Sequence, residues 1–346
     1  MRLRRSLTAV AALAAAATLL TACSGGAAPE DEAAAPAAES AATDQFPITV
    51  EHALGTTEIA EEPLRVATWG WGSTEAAIAV GVYPVAVAEQ PWTVGEGNLL
   101  PWVEEAYDAA GVEHPAVLTD AEGGSTVPYE EFVDAAPDVI LAPYSGLTEE
   151  QYETLSEIAP TVAYPDAAWT TSWQDTISLT AQALGRTAAG EQVLADIEQG
   201  IADDAAAHPE FEGKTFASIW DGDGFIYVYT EADARVSVLT GLGLEVAPSV
   251  AALDSSDGGF FYELSYEELD KLDADFVINF SSDEATAEAF LTKPELQAIP
   301  AVAAGQVVNV YDPVTVSSVS PPTALSFDWE NGFPFLVDQI AGVLAG

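Results

Sequence analysis

From Phe46 to the C-terminus, short runs of β-branched and aromatic residues alternate with longer segments of helical periodicity, and few folds accommodate that order. Such alternation layers helices over mostly parallel strands. The first half predicts strands at 65–68 (RVAT), 85–88 (VAVA), 139–142 (VILA) and 161–164 (TVAY). The second half predicts them at 215–220 (TFASIW), 225–229 (FIYVY), 276–280 (FVINF) and 307–311 (VVNVY). Between the halves, 187–207 contains no Pro and sets Val193, Leu194, Ile197 and Ile201 on one apolar stripe at helical spacing. About 21 residues at 1.5 Å each make a helix of roughly 30 Å, long enough to run from one lobe to another. The expectation is an α/β chain with an N-terminal lobe at 46–186, a linking helix at 187–208 and a C-terminal lobe at 209–346.

The two halves echo each other. Tyr129-Glu130-Glu131-Phe132 leads to a strand opening at Asp138, and Tyr266-Glu267-Glu268-Leu269 leads to one opening at Asp275, a spacing of nine from Tyr to Asp in both. Each motif carries acids in a first helical turn, where the helix dipole favours them, so Glu130 and Glu267 can be read as ordinary helix-start residues.

The segment before the folded body reads as an address. Arg2, Arg4 and Arg5 precede an apolar stretch from Leu7 to Leu20, shorter and richer in Ala than a membrane span. Leu20-Thr21-Ala22-Cys23 resembles the bacterial lipoprotein signal, in which the Cys is lipidated and becomes the new N-terminus; Cys23 is the single Cys of the chain. Residues 1–22 are thus expected to be a signal peptide. Residues 23–45 are expected to be the lipidated Cys and a disordered tether of Ala, Pro, Gly, Ser and acid, with a reach of roughly 25 Å. This places the protein outside the cytoplasm, held to the membrane by lipid alone.

Charge excludes several classes of partner. The chain has 56 acidic and 9 basic residues, a net charge of −47. Removal of the leader leaves six basic groups and about −50 by the same count, a surface that repels phosphate backbones and anionic lipid. A single Cys precludes an internal disulfide or a multi-thiolate zinc site. His52, His114 and His208 are scattered and read as solvated side chains rather than a shared metal site. No G-x-S-x-G elbow, P-loop or H-E-x-x-H occurs, so nothing in the sequence announces catalysis.

Large aromatics recur just past, or at, the ends of the predicted strands: Trp69, Trp71, Trp92, Tyr144, Trp169, Trp220, Phe280 and Tyr311. Open α/β sheets bind ligands at their strands' carboxyl ends, so two lobes facing each other there would enclose an aromatic cleft. Of the basic residues, Arg65, Arg186, Lys214, Lys271 and Lys293 read as surface or structural charges. Arg235 opens the helical run after FIYVY, near the cleft mouth, where it could donate several hydrogen bonds to an oxygen-rich ligand.

Over essentially the whole folded body the chain resembles the iron–siderophore substrate-binding lipoproteins of ABC importers. The resemblance rests on ALGTTEIAEEPLRVATWGWGSTEAAIAVGVYPVAVA, PDVILAPYSGLTEEQYETLSEIAPTVAYP, TSWQDTISLTAQALGRTAAGEQVLADIE, YTEADARVSVLTGLGLEVAPSV and TALSFDWENGFPFLVDQI. It implies two Rossmann-like lobes joined by one long helix, with the ligand in the cleft between them. It implies that Glu130 and Glu267 meet Arg residues of the permease, one per lobe, and that Arg235 and the strand-end aromatics hold the ferric complex. The expected protein is a monomeric binding module without a cofactor or a directly ligated metal, whose cargo is a ferric siderophore. A scarcity of cations in the cleft favours a hydroxamate-type complex over a tris-catecholate. Haem and cobalamin carriers of the same fold, a bare-metal carrier and a secreted enzyme are the alternatives.

Overall fold

The structure is a computed structural model, and it describes residues 42–90, 98–120, 123–222 and 224–345. The chain enters through an antiparallel hairpin, β1 (Ile48–His52) and β2 (Gly55–Ile59). The first lobe is then built on β3 (Val66–Thr68), β4 (Ala86–Ala88), β5 (Ala116–Leu118), β6 (Val139–Leu141) and β7 (Thr161–Val162). These five strands form one parallel sheet in the order β5-β4-β3-β6-β7. Its helices are α1 (Ser73–Ala79), α2 (Pro101–Ala110), α3 (Tyr129–Ala135), α4 (Glu149–Ile158) and α5 (Trp173–Ala183). Local chemistry starts them where the sequence turns polar. Thr148 and Gln151 form a reciprocal capping box on α4, and Ser172 accepts from the Asp175 amide at 2.9 Å to open α5.

The linking helix α6 (Thr187–Ala207) buries Ile197 and Ile201, with Val193 and Leu194 partly covered beside them. Its first turns lie close on α5, where a Cβ at Gly190 would meet that of Ala181 at 2.5 Å.

The second lobe holds β8 (Thr215–Gly222), β9 (Phe225–Tyr229), β10 (Glu245–Val246), β11 (Phe261–Ser265), β12 (Phe276–Phe280) and β13 (Val307–Val310). Most of its pairings are parallel, as expected, but two are antiparallel, so the sheet is mixed. Its order is β11-β9-β8-β12-β13, with β10 pairing alongside the first residues of β8. β8, β12 and β13 are parallel, while β9 runs antiparallel to both β8 and β11. The reason is length: β8 ends at Gly222 and β9 begins at Phe225, far too short a link for a parallel crossover, and Gly224 takes φ +88° to close it. β12 is buried at all five residues, FVINF, as a strand covered on both faces must be.

The repeated motif is a repeated structural joint. In the first lobe the Asp138 carboxylate accepts from the Leu64 and Arg65 amides at 2.8 and 3.0 Å, which ties the start of β6 to the start of β3. In the second, Asp275 accepts from the Thr215 amide at 2.8 Å and ties the start of β12 to the start of β8. Both Asp residues satisfy backbone donors left over where parallel strands begin.

After β13 the chain crosses back to the first lobe. The Trp71 indole donates to the Pro321 carbonyl at 3.0 Å, Trp329 packs on Trp102 at 5.0 Å between ring centroids, and Phe327 packs on Trp173 at 5.0 Å. The lobes are therefore joined by this segment as well as by α6. At the same junction lies Glu75 of α1, 1% exposed, accepting from the Trp102 indole at 3.0 Å. Burial pushes its pKa above the ordinary 4.5, against the opposing pull of the Trp102 hydrogen bond. A carboxyl that binds its proton more tightly when folded contributes stability below about pH 4.5 and loses that contribution as pH rises through the folded value. Glu75→Gln, which keeps the acceptor and needs no proton, should therefore unfold at a higher temperature than the natural protein at pH 8. The gain is expected to be on the order of 1 kcal/mol or more, and the two melting curves should converge towards pH 4.5. A variant less stable at pH 8 would show that the carboxylate itself holds the junction.

Candidate functional site

A cavity of about 710 Å³ opens between the lobes, at the ends where the parallel strands of both sheets finish. The first lobe lines it with Trp71, Gly123, Tyr144 and Trp169, and the second with Trp220, Tyr227, Tyr229, Arg235, Phe260, Phe261, Ser281 and Ser282. The helix Pro313–Val319 and the Ser320-Pro321 step complete the wall.

Each wall has a local cause. Gly70, at φ +80°, lets the chain turn after β3 against the Tyr144 carbonyl, which also accepts from the Trp71 amide at 3.0 Å. Trp169 takes the left-handed backbone at φ +61°, rarely adopted by a bulky residue and the kind of strain that collects at ligand sites. Its indole stands edge-on to Tyr144 at 5.9 Å and fills a slot above Gly124 and Gly146. On β9, period-2 alternation sends Ile226 and Val228, both fully buried, into one core and leaves Tyr227 and Tyr229 on the cavity face.

Arg235 is the single cation among the described residues that line the cavity. Its guanidinium lies 3.9 Å from the Tyr229 ring centroid, and its Nε donates at 2.8 Å to Oδ1 of Asp233. Asp233 is fully buried, and the same oxygen accepts from the Arg235 amide at 2.9 Å, capping the helix α7 (Ala234–Thr240). Burial raises the Asp233 pKa while Arg235 pulls it down. For Arg235, burial is the largest influence and works to lower the pKa, but the Asp233 carboxylate and the Tyr229 and Tyr144 hydroxyls together outweigh it, and the guanidinium stays charged. Burial also holds the Tyr144 and Tyr229 hydroxyls above the ordinary phenol range, so both are neutral donors.

Of the residues expected here, Trp71, Tyr144, Trp169, Trp220 and Arg235 line the cavity, and three do not. Trp69 is fully buried in the first lobe, edge-on to Phe132 at 5.8 Å: its amide still donates to Leu141, so it continues the strand alternation into the core. Phe280, 2% exposed, packs behind Tyr229 and Arg235 as the last residue of a strand covered on both faces. Tyr311 is half-buried and stands off the lining. Trp92 lies outside the described residues, as do Cys23 and residues 1–22. Tyr227, Tyr229, Phe260, Phe261 and the serines were not anticipated; for the two tyrosines the alternation within FIYVY was the available signal.

Glu130 and Glu267 are exposed, one per lobe, each in the first turn of the segment that runs back to its lobe's Asp-led strand. Their neighbours are spent within the lobe. Glu131 accepts from the Thr119 amide and hydroxyl at 2.7 and 2.8 Å, and Glu268 pairs with Lys271 at 2.8 Å. Glu130 and Glu267 make no such bond among the described residues. Lys293, read from sequence as a surface charge, instead donates to Asp221 at 2.8 Å and to the Tyr266 hydroxyl at 2.6 Å, fixing the turn that carries Glu267. No group of three or more potential metal ligands occurs among the described residues. No helix among them is long and apolar enough to cross a membrane.

A family model described as periplasmic binding protein matches residues 66–313, and the chain belongs to that family of solute-binding proteins. It is 28% identical over 245 residues to the probable siderophore-binding lipoprotein YfiY of Bacillus subtilis strain 168, across 68% of this chain and 70% of that protein. The structure of PiaA from Streptococcus pneumoniae TIGR4 in complex with ferrichrome matches at a TM-score of 0.78 and 33% identity, over 86% of this chain and 99% of that one. Staphylococcus aureus SirA complexed with staphyloferrin B shares the fold at a TM-score of 0.68 and 23% identity, over 86% and 98% of the two chains.

Proposed function

We propose that this protein captures a ferric siderophore, of neutral hydroxamate type, outside the membrane and delivers it to an ABC permease. The observation that carries the reading is the cavity: about 710 Å³, walled by Trp and Tyr from both lobes, with one cation among its described lining residues. A chelate that wraps iron in an organic shell offers flat apolar edges for the aromatic walls and oxygens for Arg235 and the tyrosine hydroxyls. A trianionic tris-catecholate would need several cations to offset its desolvation, and the described lining residues supply one. Likeness to the siderophore-binding lipoprotein and to the ferrichrome complex supports the same class of cargo.

The test is titration of the purified protein with ferrichrome and with a ferric tris-catecholate, read by tryptophan fluorescence. Stoichiometric quenching, tighter for ferrichrome, with the complex recovered unchanged, is the expected result. Tighter binding of the catecholate would overturn the hydroxamate reading, and consumption of either complex would indicate chemistry instead of carriage.

Lipid anchorage at Cys23 belongs to the same proposal. Cys23→Ser should move the protein from the membrane fraction to the medium, and the membrane-bound form should give a mass lacking residues 1–22 and carrying lipid. An unmodified Cys23 in that fraction would refute it.

A further inference from the structure

We propose that Asp233 is a specificity-determining residue: paired with Arg235 beneath the cavity wall, it cancels the charge that the cleft would otherwise present and so restricts the site to ferric complexes of zero net charge. This rests on the ferric-siderophore reading and deepens it. Three observations carry it. Arg235 is the one cation among the described lining residues, so the cleft's sign depends on that side chain and whatever offsets it. Asp233 does offset it, at 2.8 Å from Nε, and its side chain is fully buried while that of Arg235 is 14% exposed. Solvent therefore screens the pair poorly, and the carboxylate faces the guanidinium and not water. Finally, the second Asp233 oxygen, Oδ2, is buried with no hydrogen-bond partner. A side chain needed only to cap α7 could be an Asn or Ser at no buried-charge cost, so a half-satisfied Asp held 2.8 Å from the Arg235 Nε is explained by its pairing with that cation.

The consequence differs for two classes of ligand. A neutral complex binds through aromatic contact and hydrogen bonds from the guanidinium, which retains those donors while paired. An anionic complex meets the same donors without an uncompensated cation among the described lining residues, on a strongly acidic protein, so its lost hydration is repaid only in part. Without the Asp233 charge, Arg235 would be a buried cation lacking a partner, and an anionic ligand would supply one.

Asp233→Asn and Asp233→Ser both keep a capping oxygen. Each is titrated, by tryptophan fluorescence, with ferrichrome and with an anionic ferric tris-catecholate, alongside the natural protein, with circular dichroism to confirm the fold. The expected result is that the ratio of ferrichrome to catecholate affinity falls by about tenfold or more, mainly through tighter catecholate binding, and that a further Arg235→Gln change removes the gain. An unmoved ratio, or equal weakening of both complexes in a folded variant, would overturn the role of Asp233 while leaving siderophore binding intact. Failure of the natural protein to bind either complex would overturn the functional reading and this inference with it. If the Asn variant does not fold, the Ser variant decides between the same outcomes.

Discussion

Reversing both Glu130 and Glu267 to Arg should abolish ferric siderophore uptake in cells that have this protein as their only carrier, while the purified variant still binds its ligand with unchanged affinity. The pair qualifies for docking because of what surrounds it. In each lobe the motif provides two consecutive glutamates; the second is consumed internally, by Thr119 in one case and Lys271 in the other, and the first is left facing solvent. We propose that these two carboxylates, free among the described residues and one on each lobe, register both lobes against a two-fold related pair of permease Arg residues. Charges placed this way govern orientation and encounter rate more than raw affinity. Like charges brought together by the double reversal oppose docking outright, and single reversals should fall between. Neither residue lines the cavity, so ligand titrations are the control. Normal uptake by the double variant would return both glutamates to the role of helix-start residues, whereas lost ligand binding would place them within reach of the cleft.

The halves of the molecule were legible because the Tyr-to-Asp spacing recurs, and the structure gives the Asp of each motif the same duty. Asp138 and Asp275 satisfy the amides where the first strand of each lobe begins, a duty fixed by parallel-strand geometry. The stripe of Val193, Leu194, Ile197 and Ile201 was legible for a similar reason, since a helix covered along one side needs it. Aromatics were harder to assign. Trp69 and Trp71 stand two apart after the same strand, yet one continues the hydrogen-bond ladder into the core and the other, past the turn at Gly70, reaches the cavity; composition cannot separate them. Attention to the strand ends of a parallel sheet missed Tyr227 within β9 and Tyr229 at its end, which face the cleft from a strand that a short link makes antiparallel. The return of 320–332 to the first lobe carried no periodic signal, since its contacts are scattered single ones: the Pro321 carbonyl on Trp71, Phe327 on Trp173 and Trp329 on Trp102. Asp233 was one acid among 56, distinguished only by folding against a cation two residues away.

A substitution that touches no ligand should damage binding as much as removal of a ligand contact does. Gly146→Val is expected to weaken ferric siderophore binding by about 2 kcal/mol, roughly thirtyfold, comparable to Trp169→Ala. Gly146 has no unusual backbone angle that a side chain would oppose; the obstacle is space alone. A Cβ there would overlap the Trp169 Nε1 and lie 2.6 Å from its Cε2, while on the slot's other side a Cβ at Gly124 would come within 2.9 Å of Cη2. Trp169 cannot slide away easily, because its own backbone is held at φ +61° and its amide donates to the Ser145 carbonyl at 3.1 Å. The indole must therefore rotate out of its slot, losing its edge contact with Tyr144 and the flat wall it gives the cavity. Because the whole effect passes through one side chain, the two changes should not add: in a Trp169→Ala background, Gly146→Val should cost little more, and the coupling energy should nearly equal the single-variant loss. Additive losses would mean that Gly146 acts through the backbone of the Tyr144–Gly146 turn, and natural affinity in Gly146→Val would mean that Trp169 contributes nothing to the ligand.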